Sequence, residues 1–154
     1  MTRFRIVFLS MVASLGACDP VAGVYVRQAL RPAPAENCVA PALSASPLVA
    51  KVGSAPDPAA STYEIEVRDS TARSGVRPAS VRVTTSADSG AVTVTFLLRG
   101  KMTMDVGSAE SHRLGELATA IARAVRDACA PSSPGPDACR VSGMWWTKAC
   151  GAAG

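Results

Sequence analysis

Three segments of this chain alternate apolar and polar side chains, and that pattern limits the fold more than any other feature. Successive side chains of a β-strand point to opposite faces, so residues 62–68, 79–85 and 91–98 each predict a strand with one apolar face. The inward positions are Tyr63, Ile65, Val67, Val81, Val83, Val92, Val94, Phe96 and Leu98. An apolar face opposite a face of Thr, Glu and Arg is typical of an antiparallel sheet covered on one side.

Weaker signals extend this sheet. Residues 48–52 and 101–106 are further strand candidates, which gives an expected total of three to five strands. Residues 86–90 (SADSG) have the composition of a hairpin loop.

Residues 109–130 predict the long helix that covers the sheet. Their apolar side chains recur at helical spacing: Leu114, Leu117, Ala118, Ile121, Val125 and Ala128. Ser108 is placed to cap the N-terminus, and Pro131 ends the helix. A short helix is expected at residues 36–44, and Pro41 is compatible with it only if the helix starts near Val39 or is kinked. The resulting fold class is α+β, with two layers.

Composition excludes two classes of protein. Hydrophobic residues make up 48% of the 154 residues and charged residues 18%, which favours one folded domain over a disordered chain. The net charge is +4, but without Arg3 and Arg5 there are 14 basic against 12 acidic residues, or about +2. That charge is too small to indicate a nucleic-acid-binding protein.

The N-terminus has the pattern of an export signal. Arg3 and Arg5 precede an uncharged, mostly apolar run at residues 6–15 (IVFLSMVASL). Ten residues are too few to cross a bilayer, which takes about 20 in a helix. The alternative, a buried core helix, would have a polar face, and this run has none. A secretory signal peptide is therefore expected.

The residues that follow, Leu15-Gly16-Ala17-Cys18, resemble the lipobox of bacterial lipoproteins. The resemblance implies cleavage before Cys18, attachment of diacylglycerol to its thiol, and usually acylation of the new amine, for example with palmitate. Asp19 resembles a retention signal for the inner membrane. The alternative is an ordinary signal peptide that happens to precede a cysteine. The cysteine count argues against this alternative. The chain has five cysteines, and if one of them is the lipid site, the remaining four can all form disulfides.

The expected organisation is a signal peptide at 1–17, a lipid-anchored tether at 18–35, an α+β domain at 36–130 and a Pro-rich, disulfide-looped tail at 131–154. Within the tether, residues 21–30 are more apolar than a free linker requires. They are expected either to lie on the domain or to form an edge strand.

The four remaining cysteines allow three pairings. Cys129 follows Val125 by four residues, so it lies near the end of the apolar stripe and is placed to meet Cys38 on the short helix. Cys139 and Cys150 would then close a loop around Trp145 and Trp146. The alternative pairs Cys129 with Cys139 and Cys38 with Cys150. An exported domain is where such bridges persist.

The sequence predicts no catalytic residues, no metal site and no cofactor. His112 is the only histidine, which argues against Ser-His-Asp and Cys-His sites, and no C-x-x-C pair is present to bind zinc. Glu64 and Glu66 share a strand face with Arg68 and Arg82, which indicates a charge-paired surface rather than an acid–base pair.

Two features are candidates for binding. Trp145 and Trp146 would form either a lid over the core or an exposed platform. The arginines around the strands would face anionic groups or form a mixed surface with nearby carboxylates; they are Arg68, Arg73, Arg77, Arg82 and Arg99.

We therefore expect a non-enzymatic envelope lipoprotein, anchored to a bacterial membrane through Cys18 and facing the periplasm or the cell exterior. Its partner would be an envelope protein or a wall component, and not nucleic acid. The alternatives are a small enzyme with an unrecognised active site and a periplasmic inhibitor of a hydrolase.

Overall fold

The computed structural model describes residues 21–35, 37–54, 61–68, 80–86, 90–99, 104–142 and 147–150. In chain order the elements are β1 (Val21–Ala29), α1 (Val39–Ala45), β2 (Val49–Ser54), β3 (Ser61–Val67), β4 (Ser80–Ser86), β5 (Ala91–Arg99), α2 (Ala109–Cys129), β6 (Arg140–Ser142) and β7 (Thr147–Ala149).

The described strands form one antiparallel sheet in the order β2-β3-β4-β5-β1-β6-β7. The α+β class is confirmed, and so are the three strands predicted from alternation, as β3, β4 and β5. The sheet has seven strands rather than three to five, because β1 and the short hairpin partners β6 and β7 also join it. Of the weaker strand candidates, 48–52 overlaps β2. Residues 104–106 are not in a strand, and 101–103 lie outside the described residues.

The segment expected to be a tether begins the sheet instead. β1 is an interior strand, paired along all nine of its residues with β5 and on its other side with β6. Ala22, Val24 and Val26 are completely buried under the helices. Residues 21–29 therefore neither rest on the domain nor form an edge strand. Their alternating small and branched side chains fit the centre of a sheet covered on one face.

The helices cover a single face of the sheet. α2 packs on β1 and β5, and α1 packs beside α2 and against β2. Leu114, Ile121 and Val125 of α2 are fully buried, as the apolar stripe predicted. Ala128, which the stripe placed inward, is exposed in the last turn of the helix.

Local signals explain the start of α1 and both ends of α2, although α1 spans Val39–Ala45 rather than residues 36–44. α1 begins at Val39, so Pro41 falls in the first turn, where backbone N–H groups have no partner within the helix. The Ser108 hydroxyl accepts a hydrogen bond from the backbone N–H of Ser111 and so caps α2. α2 ends at Cys129, two residues before Pro131.

The C-terminal tail belongs to the domain rather than hanging from it. β6 pairs with β1 and β7 pairs with β6. Before them, the Gln28 side-chain amide donates to the Pro134 carbonyl at 2.8 Å, and the Ser133 hydroxyl accepts from the Arg31 backbone N–H at 2.7 Å. The chain between α2 and β6 is therefore attached to the end of β1.

Candidate functional site

Two disulfides join the cysteines as the sequence predicted. Cys38 and Cys129 link the start of α1 to the end of α2, with Cα atoms 5.8 Å apart. Cys139, which precedes β6, is bonded to Cys150, which follows β7, with Cα atoms 5.4 Å apart. Both distances lie in the ordinary range for a disulfide. The first bridge joins the two helices. The second joins the strands β6 and β7, and its Cys139 sulfur lies against α2.

The bridges use four of the five cysteines of the chain, so Cys18 has no cysteine of this chain left to pair with. Cys18 itself lies outside the described residues, as do Trp145 and Trp146 and the two arginines Arg73 and Arg77.

A groove of about 400 Å³ runs between α2 and the Cys139–Cys150 disulfide. We call it the α2 groove. Its charged and polar lining comes from one stripe of the helix and its opposite wall from the tail; the residues are His112, Gly115, Glu116, Thr119, Ala120, Arg123, Ala138, Cys139 and Cys150. Its volume is in the range of small-ligand sites.

The small residues of the stripe explain why a groove exists here. Gly115 lets the tail disulfide approach the helix closely, since a Cβ at this position would lie 2.5 Å from the Cys139 Sγ atom. Ala120 also lines the groove and contributes only a methyl group to it. The Thr119 hydroxyl donates to the Gly115 carbonyl at 2.7 Å, so its oxygen retains its capacity to accept.

The charged groups of the α2 groove have no ion-pair partner among the described residues. This holds for Glu116 and Arg123, whereas Arg126 on a neighbouring face of α2 bonds to Asp127 at 2.6 Å. Glu116 and Arg123 are exposed. The groove therefore offers one carboxylate and one guanidinium to a ligand.

The second exposed surface is the side of the sheet that the helices leave uncovered, which we call the open face. The strand register places a row of side chains across it: Glu64, Arg82, Thr95, Tyr25 and Arg140. Glu64 bonds to Arg82 at 3.4 Å, and Glu66 lies 3.9 Å from Lys51. This confirms the expectation that the strand glutamates are charge-paired, although Glu66 pairs with Lys51.

Arg68 is not part of this charge-paired row. Its guanidinium Nε donates to the Val49 carbonyl at 3.0 Å and so attaches the end of β3 to the edge strand β2. Its role is therefore at least partly structural.

In the part of the chain that the structure describes, no group of three or more His, Cys, Asp or Glu residues could hold a metal ion. Among the same residues, no helix is both long and apolar enough to cross a membrane.

No family model, curated protein or solved structure matches this chain. The sequence pattern alone did not predict the α2 groove. The available signal was the presence of two small residues, Gly115 and Ala120, among the polar positions of α2.

Proposed function

We propose that this protein is a bacterial envelope lipoprotein, anchored through acylated Cys18, whose domain binds a partner without catalysing a reaction. One observation carries the anchoring. Four cysteines bond to each other in two bridges, which leaves as the odd one the cysteine that ends the lipobox-like Leu15-Gly16-Ala17-Cys18. The lipobox-like residues in front of Cys18 favour lipidation as the use of this fifth cysteine over pairing with another molecule.

The position of β1 bears on how the domain would be held. Val21, the first residue of β1, follows Cys18 by three residues. Three residues span at most about 11 Å. The end of the sheet at which β1 begins would therefore lie next to the bilayer, with the domain facing the periplasm or the cell exterior.

Binding without catalysis is supported by the chemistry of the two exposed surfaces. On the open face, Glu64 and Glu66 each lie beside a cation, so their carboxylates form part of a charge-paired surface rather than an acid–base pair. The α2 groove offers separated charges at helical spacing rather than a nucleophile bonded to a base. A domain anchored at the membrane in this way would meet proteins and wall components of the envelope, and we propose one of these as its partner.

The anchor is tested by labelling cells that express the full chain with an alkyne analogue of palmitate. Wild-type protein should be labelled and should sediment with membranes. Cys18→Ser should lose the label and become soluble, because no thiol remains to receive the diacylglyceryl group. Asp19→Asn is the matched control, which should still be labelled. Persistent labelling of Cys18→Ser, or wild-type protein that is soluble without detergent, would contradict the proposal.

A further inference from the structure

We infer that the α2 groove binds a short peptide of about three residues through its free termini, with the ammonium group at Glu116 and the carboxylate at Arg123. This inference rests on one part of the proposed function, namely that the domain binds a partner without catalysing a reaction. It does not depend on lipidation.

The spacing of the two charges sets the length of the ligand. Seven residues separate Glu116 from Arg123 on α2, which corresponds to about 10 Å along the axis at 1.5 Å per residue. Seven residues also complete nearly two turns, so both side chains lie on the same stripe of the helix, and both line the groove. An extended chain advances about 3.3 to 3.6 Å per residue, so three residues cover this distance.

The charges are available to a ligand. Neither Glu116 nor Arg123 has an ion pair with another described residue. A guanidinium binds a carboxylate through two parallel hydrogen bonds, and a carboxylate accepts from an ammonium group. Between them, the Thr119 oxygen is placed to accept a backbone N–H of the peptide, since its own proton is donated to Gly115.

The shape of the groove also favours a peptide with small side chains. Ala120, which lies between Glu116 and Arg123 in the sequence, and the Cys139–Cys150 disulfide contribute apolar surface to the lining. A zwitterionic lipid headgroup carries the same two kinds of charge, but only two carbons separate its ammonium from its phosphate. It is too short to reach both Glu116 and Arg123.

The inference is tested by calorimetric titration of the full mature chain with trialanine, trialanine amide and N-acetyltrialanine. Wild-type protein should bind trialanine more tightly than either blocked peptide. Arg123→Gln should weaken trialanine binding about tenfold or more and remove the preference for acid over amide, because a charge-assisted hydrogen bond is lost. Glu116→Gln should remove the preference for the free amine. Ala120→Leu should reduce binding of all three peptides by filling the groove.

Arg82→Gln on the open face is the matched control, since it removes the same charge outside the groove and should bind like wild type. The inference is overturned if trialanine does not bind, if Arg123→Gln binds acid and amide as wild type does, or if glycerophosphoethanolamine competes equally well. The palmitate label reads out the anchor separately. Failure of peptide binding leaves that label unchanged, and loss of the label leaves the titration unchanged.

Discussion

Gly115 lies directly against the sulfur of Cys139: a Cβ atom on residue 115 would be 2.5 Å from Sγ and 3.4 Å from the Cys139 Cβ. The sulfur is bonded to Cys150 and cannot turn away as a free side chain would. Gly115→Ala should therefore destabilise the domain by about 1–3 kcal/mol through overpacking, although alanine gains up to about 1 kcal/mol in helix propensity. Urea unfolding followed by circular dichroism measures the net change.

A double-mutant cycle identifies the cause. In a Cys139→Ala/Cys150→Ala background the clash is relieved, so Gly115→Ala should there be neutral or stabilising. Gly135→Ala is the control, since its Cβ would lie 3.9 Å from the nearest atom, in Arg126, and should change stability little. If Gly115→Ala lowers the free energy of unfolding equally with and without the bridge, the contact with Cys139 is not the cause of the loss.

The two disulfides should contribute unequally to stability. Their sequence separations are 91 residues for Cys38–Cys129 and 11 for Cys139–Cys150. In the chain-entropy model, replacing each pair by alanine costs about 4.6 and about 2.8 kcal/mol, respectively. Thermal and urea unfolding of the two double variants should reproduce this order. A larger loss from the short bridge would show that its contact with Gly115 outweighs chain entropy.

Gln28→Glu should be strongly destabilising at neutral pH. The Gln28 side chain is fully buried and its amide nitrogen donates to the carbonyls of Ala29 and Pro134 at 2.6 and 2.8 Å. An ionised carboxylate cannot donate to either oxygen, so we expect a loss of more than about 3 kcal/mol at pH 7.

The loss should depend on pH. Burial raises the pKa of the new carboxyl in the folded state above its unfolded value of about 4.3. Stability is then retained below that unfolded pKa and lost as pH rises, so the difference from wild type should shrink toward pH 4. Unfolding curves of wild type and Gln28→Glu at matched pH values measure this. A pH-independent difference would mean that the side chain reaches solvent.

Ser108→Ala should cost about 1 kcal/mol, because it removes the acceptor for the Ser111 backbone N–H at the start of α2. Ser108→Thr keeps the hydroxyl and should lose much less. Chemical denaturation of wild type and the two variants measures these differences in the free energy of unfolding. Equal losses would assign the effect to packing rather than to the cap.

The sequence predicted those elements whose burial pattern follows a single period. Apolar and polar side chains alternate in β3 and through residues 92–96 of β5, and in α2 the buried residues recur at helical spacing. β1 has Gln28 at a buried position and Gly23 in the strand, and these two residues interrupt the apolar alternation that would have predicted an interior strand.

β6 and β7 are three residues each, too short to show a period, and their pairing depends on β1 and on the tail disulfide. The α2 groove was unpredictable for a related reason. Helical spacing placed Glu116 and Arg123 on one stripe, but the opposite wall consists of residues that only the tertiary fold brings there, namely Cys139 and Cys150.

The position of β1 in the sheet has a mechanical consequence. With Cys18 anchored as proposed, a pull between the membrane and a partner held on the domain would act along the axis of β1. This strand is hydrogen-bonded to β5 over nine residue pairs and to β6 on its other side. Such a force shears both ladders at once instead of unzipping one bond after another. The protein would therefore resist tension at its N-terminus far better than tension that peels β7 from the sheet edge.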